Sequence, residues 1–393
     1  MNQRQLFLQH LAQTSDTPLM LEIERAEGIY LYDTAGKEYI DLISGIGVSN
    51  VGHRHPNVLT AIQNQLDKYL HTMVYGEFVQ SPQVQLAQAL ASTLPDPLES
   101  AFLVNSGSEA VEGALKLAKR YTGRSEIISF QKAYHGSTHG ALSATGDDEF
   151  KRNFRPLVPD FRHILYNNLE DLESISRRTA GVLIETVQGE AGVIAGDKNY
   201  FQALRKKCDE TGTLLMVDEI QTGFGRTGKF WGFEHFDIVP DVVLSAKGMG
   251  GGMPIGCFIS SIEIMSVFKN NPVLGHISTF GGHPVSSAAA LATLQTITDD
   301  RLLDGVDGKR QLFLELLKHP KIQSIRSRGL MMALEFESYE VVKPIIDRAM
   351  EFGVITDWFL FNDRSMRIAP PLTITTNEIK KACKVIRQAC DEA

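Results

Sequence analysis

Hydrophobic positions along this chain fall into two rhythms. Near the start, Ile29-Tyr30-Leu31-Tyr32-Asp33-Thr34-Ala35-Gly36-Lys37-Glu38-Tyr39-Ile40-Asp41 places strand-forming residues on either side of an Asp/Gly turn, which predicts a hairpin. From about residue 55 the pattern changes. Helix-like stretches, such as 81–92 and 109–121, alternate with short apolar runs at 101–104, 126–130, 180–185, 214–217 and 242–245. Runs that are apolar on both faces and separated by helices predict an α/β fold with a mostly parallel central sheet covered on both sides. After about residue 290 comes a helical stretch, then Arg328-Gly329-Leu330-Met331-Met332-Ala333-Leu334-Glu335-Phe336, another helix, and Met366-Arg367-Ile368-Ala369-Pro370-Pro371. These predict a smaller α+β unit. The expected division is 1–54 joining the small unit, 55–290 forming the large one, and 291–393 completing the small one.

Composition narrows the function classes. The 393 residues are 43% hydrophobic and 22% charged, ordinary for a packed globular core. A net charge of −8 without any long Lys/Arg run argues against a nucleic-acid binder. Cys208, Cys257, Cys383 and Cys390 are scattered, with no C-x-x-C pair, and read as reduced thiols. No apolar run approaches the roughly 18 residues of a membrane span, and the first residues carry no secretory pattern, so a cytoplasmic protein is expected.

In an open parallel sheet, ligands gather beyond the carboxyl ends of the strands. Four strand ends here are informative. The run 101–104 leads into Asn105-Ser106-Gly107-Ser108-Glu109-Ala110 and a helix, where free backbone amides and the helix dipole can hold an anion. The run 126–130 is followed by Tyr134-His135-Gly136, which can offer an aromatic face. The run 214–217 ends on Asp218, and the run 242–245 leads to Lys247 and a glycine tract. His53-x-His55 and His135…His139 have superficial metal spacing but no third ligand, so no metal is expected. Gly223-Phe224-Gly225-Arg226-Thr227-Gly228 matches G-x-G-x-x-G, the only support for a nicotinamide-dependent dehydrogenase. The aromatic, glycine-broken run after it predicts a loop rather than the required helix.

An anion nest, an aromatic face, a carboxylate and a lysine together suit a phosphorylated pyridine aldehyde. Gly107 and Ser108 would take its phosphate, and Tyr134 or His135 would lie against its ring. Asp218 would keep its ring nitrogen protonated, and Lys247, partly desolvated, would form an imine with the aldehyde.

The sequence resembles the class III pyridoxal-phosphate aminotransferases, the fold type I group that includes acetylornithine, ornithine and 4-aminobutyrate aminotransferases. The resemblance covers nearly the whole chain. It runs through Gly45-Ile46-Gly47-Val48-x-Asn50-x-Gly52-His53-x-His55-Pro56, the 105–110 nest, Val217-Asp218-Glu219-Ile220-Gln221-Thr222-Gly223, Ser245-Ala246-Lys247-Gly248-x-Gly250-Gly251-Gly252-x-Pro254 and Ser278-Thr279-Phe280-Gly281-Gly282-x-Pro284. It implies Lys247 as the Schiff-base lysine, Asp218 as the partner of the ring nitrogen and Gln221 near the ring hydroxyl. Tyr134 would stack on the ring. Thr279 would join Gly107 and Ser108 at the phosphate of a neighbouring subunit, implying a homodimer with composite sites. Glu190 and Arg367 match a pair that forms a switchable salt bridge in some relatives, and Ser278 and Ser137 fall among the substrate-binding positions.

The implied activity is ping-pong transfer of an amino group from an amine or amino acid to a 2-oxo acid such as 2-oxoglutarate or pyruvate. An aminomutase, decarboxylase or epimerase on the same scaffold is the alternative. Two departures stand out. Ser137 occupies a place where many relatives carry an arginine that grips a substrate carboxylate, and a hydroxyl cannot replace a bidentate guanidinium. Thr186 replaces a common proline, a change expected to be local.

Overall fold

The computed structural model describes residues 2–393. Its centre is a seven-stranded sheet in the order Ser100–Val104, Gly256–Ser260, Val242–Ser245, Leu214–Asp218, Thr179–Glu185, Glu126–Phe130, Phe161–Ile164. All neighbouring strands pair in parallel except Gly256–Ser260, which is antiparallel to both its neighbours. The α/β sheet expected from the apolar runs is thus present. Two of its strands, Phe161–Ile164 and Gly256–Ser260, were not foreseen.

Side chains alternate across this sheet as the pleat requires. Val217, Leu215, Val243, Ile184 and Ile128 face one core with Phe201, Leu204, Trp231, Leu86 and Ala289. Met216, Leu244, Leu183 and Ile127 face the other, against Val111, Ala114, Leu117 and Ala118 of helix Gly107–Thr122. Each fully buried aliphatic side chain contributes about 1.5–3 kcal/mol. Both faces are therefore committed to packing, and only the strand ends are free for polar chemistry.

A four-stranded antiparallel sheet, in the order Ser324–Arg328, Met331–Glu335, Asn362–Ile368, Trp358–Phe359, carries helices Val306–Leu316, Tyr339–Glu351 and Thr376–Glu392 on its own core. The expected hairpin, Tyr30–Asp33 with Glu38–Asp41, gains a third strand, Ile23–Glu27. Glu38–Asp41 then pairs in parallel with Val354–Ile355, and Ile29, Ile40 and Leu42 join this second core. The boundary at 290 falls inside helix Pro284–Asp299, whose Leu294 and Ile297 still pack with the large sheet. We place the start of the second unit after that helix. Among the described residues, no helix is long and apolar enough to cross a membrane.

Candidate active site

Strands Leu214–Asp218, Thr179–Glu185 and Val242–Ser245 lie side by side and deliver Asp218, Glu185 and, two residues beyond the last, Lys247 to one cavity of about 410 Å³. Gly107 and Ser108, Tyr134 and His135, Gln221 and Glu190 also line it, with Val48, Ile220, Met253 and Ile255 as its apolar wall.

Lys247 follows Ala246 into a left-handed turn at φ 45°, a conformation a non-glycine residue holds only when its surroundings enforce it. Its amine has no hydrogen-bond or ion-pair partner among the described residues. Burial lowers its pKa, with the negative Glu190 opposing and the positive Arg367 reinforcing the shift. The shift is toward the neutral, nucleophilic amine.

Asp218 is buried, and both its oxygens are engaged. Oδ1 accepts from the Ile220 amide at 3.0 Å and Oδ2 lies 2.7 Å from His135 Nδ1. His135 is turned toward this carboxylate, with its Nε2 buried and unpartnered. His135 is thus engaged with Asp218, whereas Tyr134 borders the cavity without that contact. Nothing local in the sequence signalled this pairing across 83 positions.

Glu185 was missed as a site residue, although it ends an apolar strand as Asp218 does. Its Oε1 accepts from the Tyr134 amide and its Oε2 from the Gly189 amide, both at 3.0 Å. Burial raises its pKa to about 7, with His135 opposing and Asp218 adding to the shift. It clips the aromatic segment to the segment carrying Glu190.

Helix Gly107–Thr122 begins with Ser106 as N-cap, its hydroxyl accepting from the Glu109 amide. Among the described residues, the amides of Gly107 and Ser108 have no partner. Gly136 passes so close that a Cβ there would lie 2.1 Å from Ser108 Oγ, and one on Gly107 would meet Ile220 at 3.0 Å. The two glycines hold open a narrow cradle at the positive end of the helix.

Glu190 and Arg367 form a buried two-point ion pair, which Asp357 extends through a 2.8 Å contact to Arg367 Nε. Burial alone would raise the Glu190 pKa, but Arg367 overrides it and holds the carboxyl at about 2. Gln221 Nε2 also reaches Glu190 Oε1, at 3.3 Å. The Leu360 and Phe361 amides donate to Glu190 Oε2 and to its carbonyl. Phe361 packs against Tyr134 and Phe150, with ring centroids 6.4 and 5.1 Å apart. Neither Asp357 nor these phenylalanines stood out in the sequence.

Four expected site residues lie outside the cavity lining: Arg367, which reaches it only through Glu190, and Ser137, Ser278 and Thr279. Ser137 contacts the Tyr134 hydroxyl at 3.5 Å. Ser278 Oγ accepts from Asn105 Nδ2, and the Thr279 carbonyl lies 2.9 Å from His71 Nε2. Segment 223–228 forms turns and opens no helix, as expected of a loop. Among the described residues, no group of three His, Cys, Asp or Glu side chains could hold a metal ion.

The sequence pattern of the family described as aminotransferase class-III matches residues 11–390. The chain belongs to this family. This aminotransferase is 40% identical over 368 residues to an acetylornithine aminotransferase of Methanopyrus kandleri, with 92% of each protein covered. Its fold is similar to that of a transaminase from the marine bacterium Virgibacillus, with a TM-score of 0.93, 30% identity, and 99% and 98% of the two chains covered. It is also similar to the ornithine aminotransferase of Toxoplasma gondii, whose structure shows partial occupancy of pyridoxal phosphate at the active site. There the TM-score is 0.91 at 29% identity, covering 99% and 93% of the chains.

Pyridoxal 5′-phosphate is the cofactor of this class, and the cavity of the present aminotransferase suits each of its parts. An amine and helix-start amides without partners among the described residues, a buried carboxylate fixed from behind and a half-buried tyrosine all border the same space.

Proposed function

We propose that the enzyme moves an amino group from an ω-amine donor, acetylornithine-like or 4-aminobutyrate-like, to a 2-oxo acid such as 2-oxoglutarate or pyruvate. The observation that carries this reading is the buried, unpartnered Lys247 amine sharing one cavity with Asp218 and the Gly107–Ser108 cradle. In this reading Gly107 and Ser108 bind the cofactor phosphate, and Thr279 of a second copy completes that contact in a homodimer. Tyr134 covers the ring face, Gln221 lies near the ring hydroxyl, and Asp218, held by His135, keeps the ring nitrogen protonated. When bound, the cofactor supplies an electron sink for the bond broken at the donor carbon.

Lys247 would hold the cofactor through its amine, and the same Nζ, freed when the donor binds, would take the proton from the donor carbon and give it back later as a general acid. With Arg367 closed on Glu190, no guanidinium is free for an α-carboxylate, which favours a donor entering by a terminal amine. A 2-oxo acid in the second half-reaction would draw Arg367 away from Glu190. Ser137 offers no second carboxylate grip, and Phe361, Phe150 and Tyr134 make that side aromatic. The four buried, unpaired cysteines are in keeping with a reducing cytoplasm.

The test is a half-reaction screen of the holoenzyme against ornithine derivatives, 4-aminobutyrate, 2-aminoadipate, lysine and simple diamines, following the cofactor's visible absorbance. Terminal amines should discharge it fastest, and turnover should then require an added 2-oxo acid. Turnover without any acceptor would point instead to an aminomutase.

A further inference from the structure

Asn50 lies in one of the motifs that tie the chain to its family and Arg226 in the glycine-rich segment 223–228, yet neither lines the cavity around Lys247. Both are almost wholly buried, at 1% exposure each. The Arg226 guanidinium meets neutral oxygens instead of a carboxylate. Nη1 donates to the Leu330 carbonyl at 3.0 Å and to the Pro370 carbonyl at 2.5 Å, and Nη2 donates to Asn50 Oδ1 at 2.6 Å. Burial lowers its pKa to about 10, with Asp41 the one nearby charge opposing the shift. A buried guanidinium is expensive to desolvate, so its place needs a reason.

Asn50 supplies that reason. Its Nδ2 donates to the Phe224 carbonyl at 2.9 Å, and its backbone carbonyl accepts from the Leu372 amide at 2.8 Å. Its amide group also lies flat against Gly248, the residue after Lys247. A Cβ on Gly248 would come within 2.4 Å of Asn50 Nδ2 and 2.8 Å of Cγ. On the other flank of the same tract, a Cβ on Gly251 would lie 2.2 Å from Thr293 Oγ1. The glycine turn behind the lysine is thus gripped between two polar side chains, one of them fixed by Arg226. The same arginine holds Pro370, three residues beyond Arg367.

We propose that Arg226, acting through Asn50, is a positioning residue that holds the Lys247–Gly248 turn in place and ties it to the strand carrying Arg367. Arg226 touches neither substrate nor cofactor. Its effect passes through the close contact between Asn50 and Gly248, which keeps Lys247 in its left-handed conformation and its amine aimed into the cavity. The inference rests on Lys247 being the cofactor-bearing residue.

The experiment is a double-mutant cycle of Asn50→Ala and Gly248→Ala, with two readouts. The first is the donor half-reaction rate of the holoenzyme. The second, which needs no cofactor, is the pH midpoint for acylation of Lys247 in the apoprotein, measured by peptide mass mapping. Gly248→Ala should slow the half-reaction roughly a hundredfold, the scale of an ångström-sized misplacement. In the Asn50→Ala background, where the obstructing amide is gone, the same change should slow it less than about threefold. Asn50→Ala alone should move the acylation midpoint while thermal melting still shows one folded protein. Arg226→Lys, which keeps the charge but cannot reach three acceptors at once, should shift the midpoint in the same direction. If that variant does not fold, the Asn50/Gly248 cycle decides alone. Equal penalties for Gly248→Ala in both backgrounds, or an unmoved midpoint in Asn50→Ala, would overturn the proposal. Borohydride reduction of the unmodified holoenzyme is the separate control. An adduct away from Lys247 would remove the underlying assignment, whatever the cycle shows.

Discussion

Arg367 and Glu190 face each other as parallel forks, with Nη1 3.0 Å from Oε1 and Nη2 2.9 Å from Oε2. The pair is buried on both sides. The guanidinium lies 4.4 Å above the Phe359 ring, and Asp357 holds its remaining edge. Breaking a buried ion pair by removing one partner destabilises by about 3–5 kcal/mol. Here Asp357 and the aromatic face stay behind to keep Arg367 in place. An arginine secured on three sides can exchange one partner for a substrate carboxylate without losing its position.

Glu190→Gln should therefore fold and should change donor preference. With the fork open, α-amino acid donors should gain roughly tenfold in kcat/KM relative to terminal amines, about 1.4 kcal/mol of differential binding. Competition between one donor of each kind measures it; an unchanged ratio would deny the bridge any part in selection.

The same pair has an acid signature. The Glu190 carboxyl is held at about 2 against an ordinary value of 4.5. A depressed carboxyl contributes stability that is present above its unfolded value and lost as pH falls through the folded value. Thermal melts should show this loss between about pH 4.5 and 2, with Glu190→Gln flattening that part of the curve. A variant curve parallel to the parent's would contradict the assignment.

Lys247→Ala should keep its fold by circular dichroism and melt near the temperature of the parent apoprotein, because the amine has no hydrogen-bond or ion-pair partner among the described residues. Turnover should fall by a factor of 10³ or more, since both covalent attachment and proton transfer are lost. Near-normal turnover in this variant would be incompatible with the mechanism.

At the other end of the cofactor site, Asp218→Asn should leave the cofactor bound while lowering the rate roughly 10²–10³-fold, the scale of one removed electrostatic stabiliser. His135→Phe, which fills similar space without the hydrogen bond, should produce a smaller loss. If His135→Phe proved as damaging as Asp218→Asn, His135 would be more than a support.

Ser137→Arg should introduce a carboxylate grip beside the Tyr134 hydroxyl. Donors with a distal carboxylate should bind about tenfold or more tightly, and neutral diamines should gain nothing. Isothermal titration of the two donor types distinguishes a real grip from general electrostatic attraction, because added salt would erase the latter.

How much of this was legible in sequence follows from how far each signal travels. Lys247 and Asp218 could be found because each closes a continuous apolar run, and a strand end in a parallel sheet has few other destinations. Gly107 and Ser108 carried a local helix-start signal of the same kind. His135 remained ambiguous because the choice between facing a ring and bracing Asp218 is made by a contact 83 positions away. Asp357 and Phe361 reach the site from either side of the short strand Trp358–Phe359 of the second unit, where no pattern of spacing announces them. Strand Gly256–Ser260 was hidden by its place straight after the glycine tract, where a short run reads as loop. The Thr186 hydroxyl is buried without a partner, packed where a Cβ on Gly232 would lie 2.4 Å away.

The parallel pairing of Glu38–Asp41 with Val354–Ile355 matches Ile40 to Val354, 354 − 40 = 314 positions apart. During synthesis, the first hairpin emerges long before the strand that will seal its edge, and its apolar face, with Ile29, Ile40 and Leu42, has no core to join until then. Contacts of such separation make assembly slow and leave sticky surface bare in the meantime. The large sheet can form while this happens, but the unit that carries Arg367 must wait for nearly the whole polypeptide, so the Glu190–Arg367 pair is among the last parts of the enzyme to be set in place.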